Sequence, residues 1–253
     1  MKASAPDPAA IAEGYRLVRS RVDAAARRSR RDPASVTVVA AVKSFGPATV
    51  RYAVAAGIAD LGENYVQEAA RKIPQLTERT KDGTAPRWHL IGHLQRNKAR
   101  QAAALFDLIH TLDGEELALC LERIGAEHGR VIRTLLQVNV AGEDTKSGVA
   151  VAMAAGLLER LQTLRHLRVE GLMTVPPLPL DPEQSRPHFQ ALAELRQDLR
   201  SRGFDLVHLS MGMSADYEVA VEEGATFVRV GEAIFGPRPD RPHMRPGLAA
   251  PRI

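Results

Sequence analysis

The sequence predicts a single (β/α)8 barrel of the α/β class. Short apolar runs alternate with segments of helical periodicity and give roughly eight strands along the chain. Several of these runs are continuously apolar, which is typical of parallel strands that are buried on both faces. The length of 253 residues suits one barrel. A doubly wound open sheet shows the same alternation and is the alternative, but the strand count favours the barrel.

The first element is a helical pattern over Pro8–Arg30. Apolar residues such as Ile11 and Val18 recur at helical spacing, Asp7 stands where an N-cap is expected, and proline is favoured at the first position of a helix. We expect this helix to dominate an N-terminal segment, residues 1–35, that packs on the barrel.

The first strand is predicted at Val36–Val42, a continuous run of apolar and β-branched residues. Such a run is typical of a strand that is buried on both faces. The helical pattern of Pro47–Ala56 follows it and ends before Gly57, a residue that commonly terminates helices. The chain therefore begins as a β-α unit.

The later elements repeat this alternation up to Gly236. The expected strands are 58–61, 88–91, 108–111, 131–140, 167–175, 206–209 and 226–230. The expected helices are 65–77, 95–105, 115–128, 149–163, 182–202, 215–223 and a short one at 233–235. The barrel is thus expected to span 36–236, and residues 237–253 are expected to form a tail that is rich in proline and arginine.

Composition excludes several classes of protein. Hydrophobic residues make up 45% and charged residues 25%, so a wholly disordered or collagen-like chain is excluded. The single cysteine, Cys120, cannot form an intramolecular disulfide or a cysteine-rich metal site. The net charge of +4 is a weak signal for nucleic-acid binding. No segment has the apolar length of a signal peptide or membrane helix, so we expect a cytoplasmic protein without a nucleic-acid or membrane partner.

The carboxyl ends of the strands are where the chemistry of barrel enzymes collects. The residues at these positions are Lys43, Asn64, His93, Asn139, Met173, Ser210 and Gly231. Lys43 ends an apolar strand, where burial would lower the pKa of its ammonium and favour Schiff-base formation with an aldehyde. The alternative is an exposed lysine whose stem covers apolar surface. Position alone gives the two interpretations equal weight.

The loops after the last two strands have the composition of anion-binding turns. Ser214 is the expected N-cap of a helix that begins near Ala215, and Gly231 precedes the short final helix. Barrels often bind phosphate with these two loops through backbone N–H groups at helix starts. Either loop alone could be an ordinary turn. Together with Lys43 they favour a phosphorylated aldehyde as the ligand.

Two further patterns do not match the sites that they resemble. The segment Gly142–Ser147 is similar to a phosphate-binding P-loop, but Thr145 occupies the position before the lysine where that loop requires glycine. His89 and His93 are four residues apart, but Leu90 stands where a zinc protease has its catalytic glutamate. We therefore expect structural histidines, no metal ion and no nucleotide site.

Several segments match one family in order. They are Val39–Lys43, Leu61–Glu68, Trp88–Lys98, Ile109–Asp113, Gln137–Gly148, Gly171–Thr174, Ser210–Asp216 and Val228–Gly236. On these segments the chain resembles the pyridoxal phosphate homeostasis protein family, small barrels that bind pyridoxal 5'-phosphate (PLP) and are related to the N-terminal domain of alanine racemase. The resemblance implies a barrel of that type, which is PLP fold type III, and PLP as the cofactor.

The resemblance also assigns roles to individual residues. Lys43 matches the lysine that holds PLP as a Schiff base, Asn64 a residue beside the cofactor ring, and Arg229 an arginine near the pyridine nitrogen. The residues that match the phosphate loops are Ser210, Ser214, Gly231 and Glu232, and Met173 lies on a matching strand that lines the pocket.

The chain departs from the family pattern at three positions. Val42 stands where the family commonly has serine, and Pro47 comes four residues after the lysine rather than three. Glu232 stands where many relatives carry a hydroxyl residue. Because a carboxylate would repel phosphate, we expect the Glu232 side chain to face away and its backbone N–H to bind.

The resemblance implies a PLP carrier in intracellular PLP homeostasis, and in amino- and keto-acid balance, without significant turnover. The related racemases take one catalytic group from an added β-domain, for which the residues after Gly236 leave no room. The alternative is a Schiff-base enzyme, racemase-like or aldolase-like, that uses Lys43. We expect a monomer that binds PLP and transfers it transiently to PLP-dependent apoenzymes.

Overall fold

Eight parallel strands close into a barrel in the computed structural model, which describes residues 7–80, 83–143 and 147–237. The strands are β1 (Thr37–Ala41), β2 (Asp60–Glu63), β3 (Arg87–Leu90), β4 (Leu108–Leu112), β5 (Ile132–Asn139), β7 (Leu167–Met173), β8 (His208–Met213) and β9 (Phe227–Val230). The two-residue strand β6 (Val149–Ala150) pairs with the end of β5 outside this ring. Pairing of β4 with β5 closes the ring, which excludes the open sheet and confirms the predicted barrel.

Helices follow the strands and cover the outside of the barrel. They are α1 (Pro8–Arg28), α2 (Pro47–Ala55), α3 (Val66–Lys72), α4 (Ala99–Leu105), α5 (Glu115–Glu127), α6 (Val151–Leu161), α7 (Arg186–Ser201), α8 (Tyr217–Glu222) and α9 (Glu232–Phe235). Short 3-10 turns occur at Pro33–Ser35, Ile73–Gln75, Arg96–Lys98 and Pro182–Ser185. No helix among the described residues is long and apolar enough to span a bilayer.

Helix α1 packs along α8 and α9, the last two helices of the barrel. Its start is capped as predicted, because the Asp7 side chain accepts a hydrogen bond of 3.1 Å from the Ala9 N–H. Ile11 and Val22 on its inner face are fully buried. Gly14 permits a close approach to α9, since a Cβ atom there would lie 2.6 Å from the carbonyl oxygen of Ile234.

Two strands begin and end later than the sequence predicts. The expected strand 206–209 is found at His208–Met213, and the expected strand 58–61 at Asp60–Glu63. The late ends of both strands have one cause, because glycine in the sequence indicates a turn although Gly212 and Gly62 are part of strands here. Gly62 packs closely in the strand instead of forming a turn, since a Cβ atom there would lie 2.8 Å from Ile91 Cδ1.

The core has two layers. The larger layer lies between the strands and the helices. A smaller cluster consists of the buried side chains of Val39, Leu108, Leu135, Met173 and Phe227. Ile91 and Val175 pack against this inner cluster, and both also line the cavity described below. The inner cluster therefore forms part of the base on which the site is built. Most of the predicted tail, from residue 238 onward, lies outside the described residues.

Candidate functional site

A cavity of about 330 Å³ lies at the carboxyl ends of the strands. Six of the eight predicted site residues line it, namely Lys43, Asn64, Ser214, Arg229, Gly231 and Glu232. The other lining residues are Ala41, Phe45, Ile91, Val175, Leu178, Pro179, Met213, Ala215, Asp216 and Gly236. The two remaining predicted residues, Met173 and Ser210, are fully buried and belong to the strands that support the cavity.

Lys43 is half-buried in the wall of the cavity, two residues after the end of β1. The backbone before it is fixed by β2, because the Val42 N–H donates a hydrogen bond of 2.9 Å to the Gly62 carbonyl. The residue after it, Ser44, has a φ of 67°, and its N–H donates to Glu68 Oε2 over 3.2 Å. The left-handed residue turns the chain sharply from the strand toward α2.

A buried ion pair between Lys72 and Glu63 supports the backbone segment around Lys43. Lys72 Nζ forms a hydrogen-bonded ion pair with Glu63 Oε1 and donates over 3.0 Å to the Val42 carbonyl. Burial raises the pKa of Glu63, against the lowering effect of the Lys72 charge. The second oxygen of Glu63 has no hydrogen-bond partner among the described residues. The pair therefore holds the backbone carbonyl next to Lys43 at the cost of burying two charges.

Asn64 presents an amide to the cavity at the end of β2. Its buried Oδ1 has no hydrogen-bond partner among the described residues, although buried acceptors are normally satisfied. Gly92 packs directly against the Asn64 backbone, since a Cβ atom at Gly92 would lie 2.7 Å from Asn64 Cα. The amide oxygen is thus a fixed acceptor that is available to a ligand.

Arg229 places a buried cation at the cavity. Its Nη1 donates over 2.5 Å to Ser210 Oγ and its Nη2 over 2.8 Å to the Thr174 carbonyl. The side chain lies on β9 and is 5% exposed. Burial lowers the pKa of Arg229 to about 10, partly offset by the charge of Asp216, so the guanidinium stays protonated at neutral pH.

The loops after β8 and β9 meet at one side of the cavity. Ser214 Oγ accepts a hydrogen bond of 3.2 Å from the Gly231 N–H and so ties one loop to the other. Gly231 is the N-cap of α9 and has no side chain that could cap the first N–H groups of this helix. Glu232 is the first residue of α9 and is exposed.

The predicted capping role of Ser214 is wrong. Helix α8 begins at Tyr217 with Asp216 as its N-cap, two residues later than expected. Buried Asp216 instead organises the preceding loop, because its carboxylate accepts from the Met213 N–H and from Ser185 Oγ, each over 2.7 Å. An aspartate three residues after a strand end is the local signal that would have identified this role.

The two histidines that the sequence singled out, His89 and His93, are not among the described residues that line the cavity. His93 is exposed and its Nδ1 lies 3.1 Å from Asp113 Oδ2, whereas His89 is buried with two hydrogen-bond partners. The P-loop-like segment includes residues 144–146, which lie outside the described residues. Within the described part of the chain, no group of His, Cys, Asp and Glu side chains could hold a metal ion.

Five buried polar residues that support the site were not predicted from the sequence, and most of them lie outside the cavity lining. They are Glu63, Lys72, His110, Thr174 and Asp216. Each of them is buried and polar. Lys72 comes 29 positions after Lys43 in the sequence and contacts the adjacent backbone. No periodicity or spacing rule reveals such a contact.

Residues 15–239 match the model of the family described as alanine racemase, N-terminal domain. The protein named pyridoxal phosphate homeostasis protein in Pseudomonas aeruginosa is 41% identical over 229 residues, which are 90% of this chain and 96% of that protein. Its namesake in Aquifex aeolicus is 40% identical over 222 residues, which are 87% of this chain and 95% of that protein.

A solved structure agrees with these relatives. PipY of Synechococcus elongatus, solved with PLP bound, is 38% identical and superposes with a TM-score of 0.77. The match covers 89% of this chain and 100% of that one. The family model, the curated relatives and this structure cover the barrel and both loops of the cavity. The chain therefore belongs to the pyridoxal phosphate homeostasis protein family, within the group of proteins that share the alanine racemase N-terminal domain.

Proposed function

We propose that this protein binds PLP as a Schiff base on Lys43 and serves in PLP homeostasis without significant turnover. The observation that carries this proposal is that one cavity brings together the Lys43 amine, the Arg229 guanidinium and the start of α9. A lysine, a buried cation and an anion-binding helix start are suited to an aldehyde, a ring acceptor and a phosphate on one ligand. Membership of a family in which PipY was solved with PLP bound supports the same ligand.

The residues present fit this cofactor. The buried Asn64 Oδ1 without a partner offers an acceptor to a hydroxyl or protonated imine nitrogen. Gly231 keeps the wall open, because a Cβ atom there would lie 3.3 Å from the Ala41 carbonyl oxygen and would fill part of the space at the start of α9. The cavity of about 330 Å³ is within the range of small-ligand sites.

Lys43 is the proposed attachment point. Bound PLP supplies an aldehyde, with which a lysine amine condenses to a Schiff base and releases one water molecule. The half-buried position of Lys43 at the end of an apolar strand limits access of water to that bond. The contacts of Val42 and Ser44 hold the backbone on both sides of this residue.

Arg229 is the proposed partner of the cofactor's ring nitrogen. A protonated guanidinium beside a basic nitrogen disfavours protonation of that nitrogen, which weakens the ring as an electron sink. The role in homeostasis would then be reversible storage and delivery of PLP in the cytoplasm by a monomer, with PLP-dependent apoenzymes as recipients.

Visible absorbance of the loaded protein tests the attachment. Wild-type protein incubated with PLP should develop an imine band that survives desalting, and Lys43→Ala should abolish it. Lys98→Ala is the matched control, because Lys98 lies outside the cavity lining and should leave the band unchanged. A band of full intensity in the Lys43 variant would contradict the proposal.

A further inference from the structure

A continuous chain of hydrogen bonds crosses the interior of the barrel. Asp60 Oδ1 lies 2.9 Å from His89 Nε2, and His89 Nδ1 lies 2.9 Å from His110 Nε2. His110 Nδ1 lies 2.8 Å from Ser210 Oγ, which accepts from Arg229 Nη1 over 2.5 Å. All five side chains are buried. We call this series the Asp60–Arg229 chain.

The Asp60–Arg229 chain connects two distant surfaces. At the amino ends of the strands, Arg87 holds both oxygens of Asp60 over 2.7 and 2.6 Å and is itself 57% exposed. From Asp60 the hydrogen bonds of the Asp60–Arg229 chain lead from β2 to β3 and β4. They then cross to β8 and β9 on another side of the barrel. Its other end is Arg229 in the cavity wall. Barrel interiors are normally filled by apolar side chains, so this polar route is exceptional.

Donors and acceptors along the chain match in one direction when both histidines are neutral. The Asp60 carboxylate can only accept, so His89 carries its proton on Nε2 and accepts at Nδ1. His110 then donates from Nε2 and accepts at Nδ1 from the Ser210 hydroxyl. The lone pairs of Ser210 remain for the Arg229 guanidinium. Every link thus has one donor and one acceptor.

The opposite placement of the histidine protons leaves a hydrogen-bond donor without an acceptor. If His110 carried its proton on Nδ1, Ser210 Oγ would accept from both His110 and Arg229, and no described contact would take its own hydrogen. Burial, followed by the charges of His89, Arg229 and His208, lowers the pKa of His110 well below its usual value, which keeps this ring neutral. Burial raises the pKa of Asp60, but the hydrogen bonds and charges of His89 and Arg87 together lower it below its usual value, which keeps that end anionic.

We propose that Asp60, His89, His110 and Ser210 are positioning residues that hold Arg229 in one orientation toward the cavity. The proposal rests on the proposed function in one respect, namely that Arg229 faces the ring nitrogen of PLP. Without the Asp60–Arg229 chain, Arg229 would keep the Thr174 carbonyl as its partner but lose the hydroxyl that fixes Nη1. The orientation of a cation toward a ligand atom would then no longer be unique.

Nitrogen-15 NMR of the histidine rings tests the order of the chain in protein without PLP. The expected result is a protonated Nε2 and an unprotonated Nδ1 in both His89 and His110. His110→Gln and His89→Gln assign the signals. A protonated Nδ1 in His110 would reverse the order derived above and overturn the proposal, whether or not the protein binds PLP.

A comparison of two histidine variants tests the effect on the cofactor. His110→Phe removes two links of the chain, whereas His208→Phe is the matched control, because His208 stacks on the same Phe227 ring but bonds to Thr226 over 3.2 Å. We expect His110→Phe to weaken PLP binding about 10-fold, the factor of one buried hydrogen bond lost. We also expect a pH-dependent change of the visible band that is absent in wild type and in His208→Phe.

Substitutions at Ser210 provide a second readout should His110→Phe fail to fold. Ser210→Ala should reproduce the pH-dependent band, and Ser210→Thr, which keeps the hydroxyl, should restore the wild-type behaviour. Unchanged spectra and affinity in both His110→Phe and Ser210→Ala would overturn the positioning role. Absence of the imine band in wild-type protein would instead contradict the proposed function. The NMR result would still decide which nitrogen of each histidine in the Asp60–Arg229 chain carries the proton.

Discussion

At the scale of single residues, the site depends on buried polar groups that hold its backbone in place. Lys72 and Glu63 hold the carbonyl next to Lys43, and Asp216 ties the loop after β8 to α8. Such groups are expensive to bury and stay favourable only while each has its partner. Removing one partner should therefore cost more than removing the whole interaction.

Lys72→Met is the sharpest test of this asymmetry. The variant leaves Glu63 buried without its cation, so the free energy of unfolding should fall by about 3–5 kcal/mol, as measured by urea denaturation. The double variant Glu63→Leu with Lys72→Met buries no charge and should recover most of that loss. Equal destabilisation by the single and double variants would show that packing, and not charge, holds this segment.

At the scale of elements, close approach between backbones sets the shape of the cavity. The turn after β2 is fixed by Gly92, which packs against Asn64, and the loop after β8 is fixed by its link from Ser214 to Gly231. The sequence predicted that strand ends and glycine-containing loops would form the site. It could not predict where β8 ends, because the Gly212 that signals a turn lies at a φ of 88° within the strand.

Gly92→Ala tests the contact that fixes Asn64. The added methyl group would collide with the Asn64 backbone, so we expect a loss of about 1–3 kcal/mol in the free energy of unfolding and weaker PLP binding. Gly156→Ala is the matched control, because Gly156 lies within α6 and a Cβ atom there would have only Arg160 Nη1 as a neighbour, at 3.8 Å. The control should be neutral or slightly stabilising. Equal effects of the two substitutions would remove the close-packing argument.

At the scale of the whole molecule, alternation of apolar runs and helical patterns was enough to predict the barrel. Closure of the ring between β4 and β5 settles what alternation leaves open. The sequence also predicted six residues of the cavity wall. It could not predict the polar interior, because His110 precedes Ser210 by 100 residues in the sequence and meets it only across the closed barrel.

Exchange of the Cα hydrogen of alanine distinguishes a carrier of PLP from an enzyme. If the protein only carries PLP, loaded protein in D2O should not exchange the Cα hydrogen of L- or D-alanine, as followed by proton NMR. Alanine racemase assayed in parallel with the same two substrates is the positive control. Exchange that disappears in Lys43→Ala would instead establish the Schiff-base enzyme.

The central claim is that PLP is held on Lys43, and peptide mass spectrometry after borohydride reduction tests it most directly. Reduction fixes a Schiff base as a stable amine, so the cofactor and its attachment point are identified together. The account predicts one reduced phosphopyridoxyl group on the peptide that contains Lys43. An unmodified Lys43 peptide, or the adduct on Lys72 or Lys98, would contradict it.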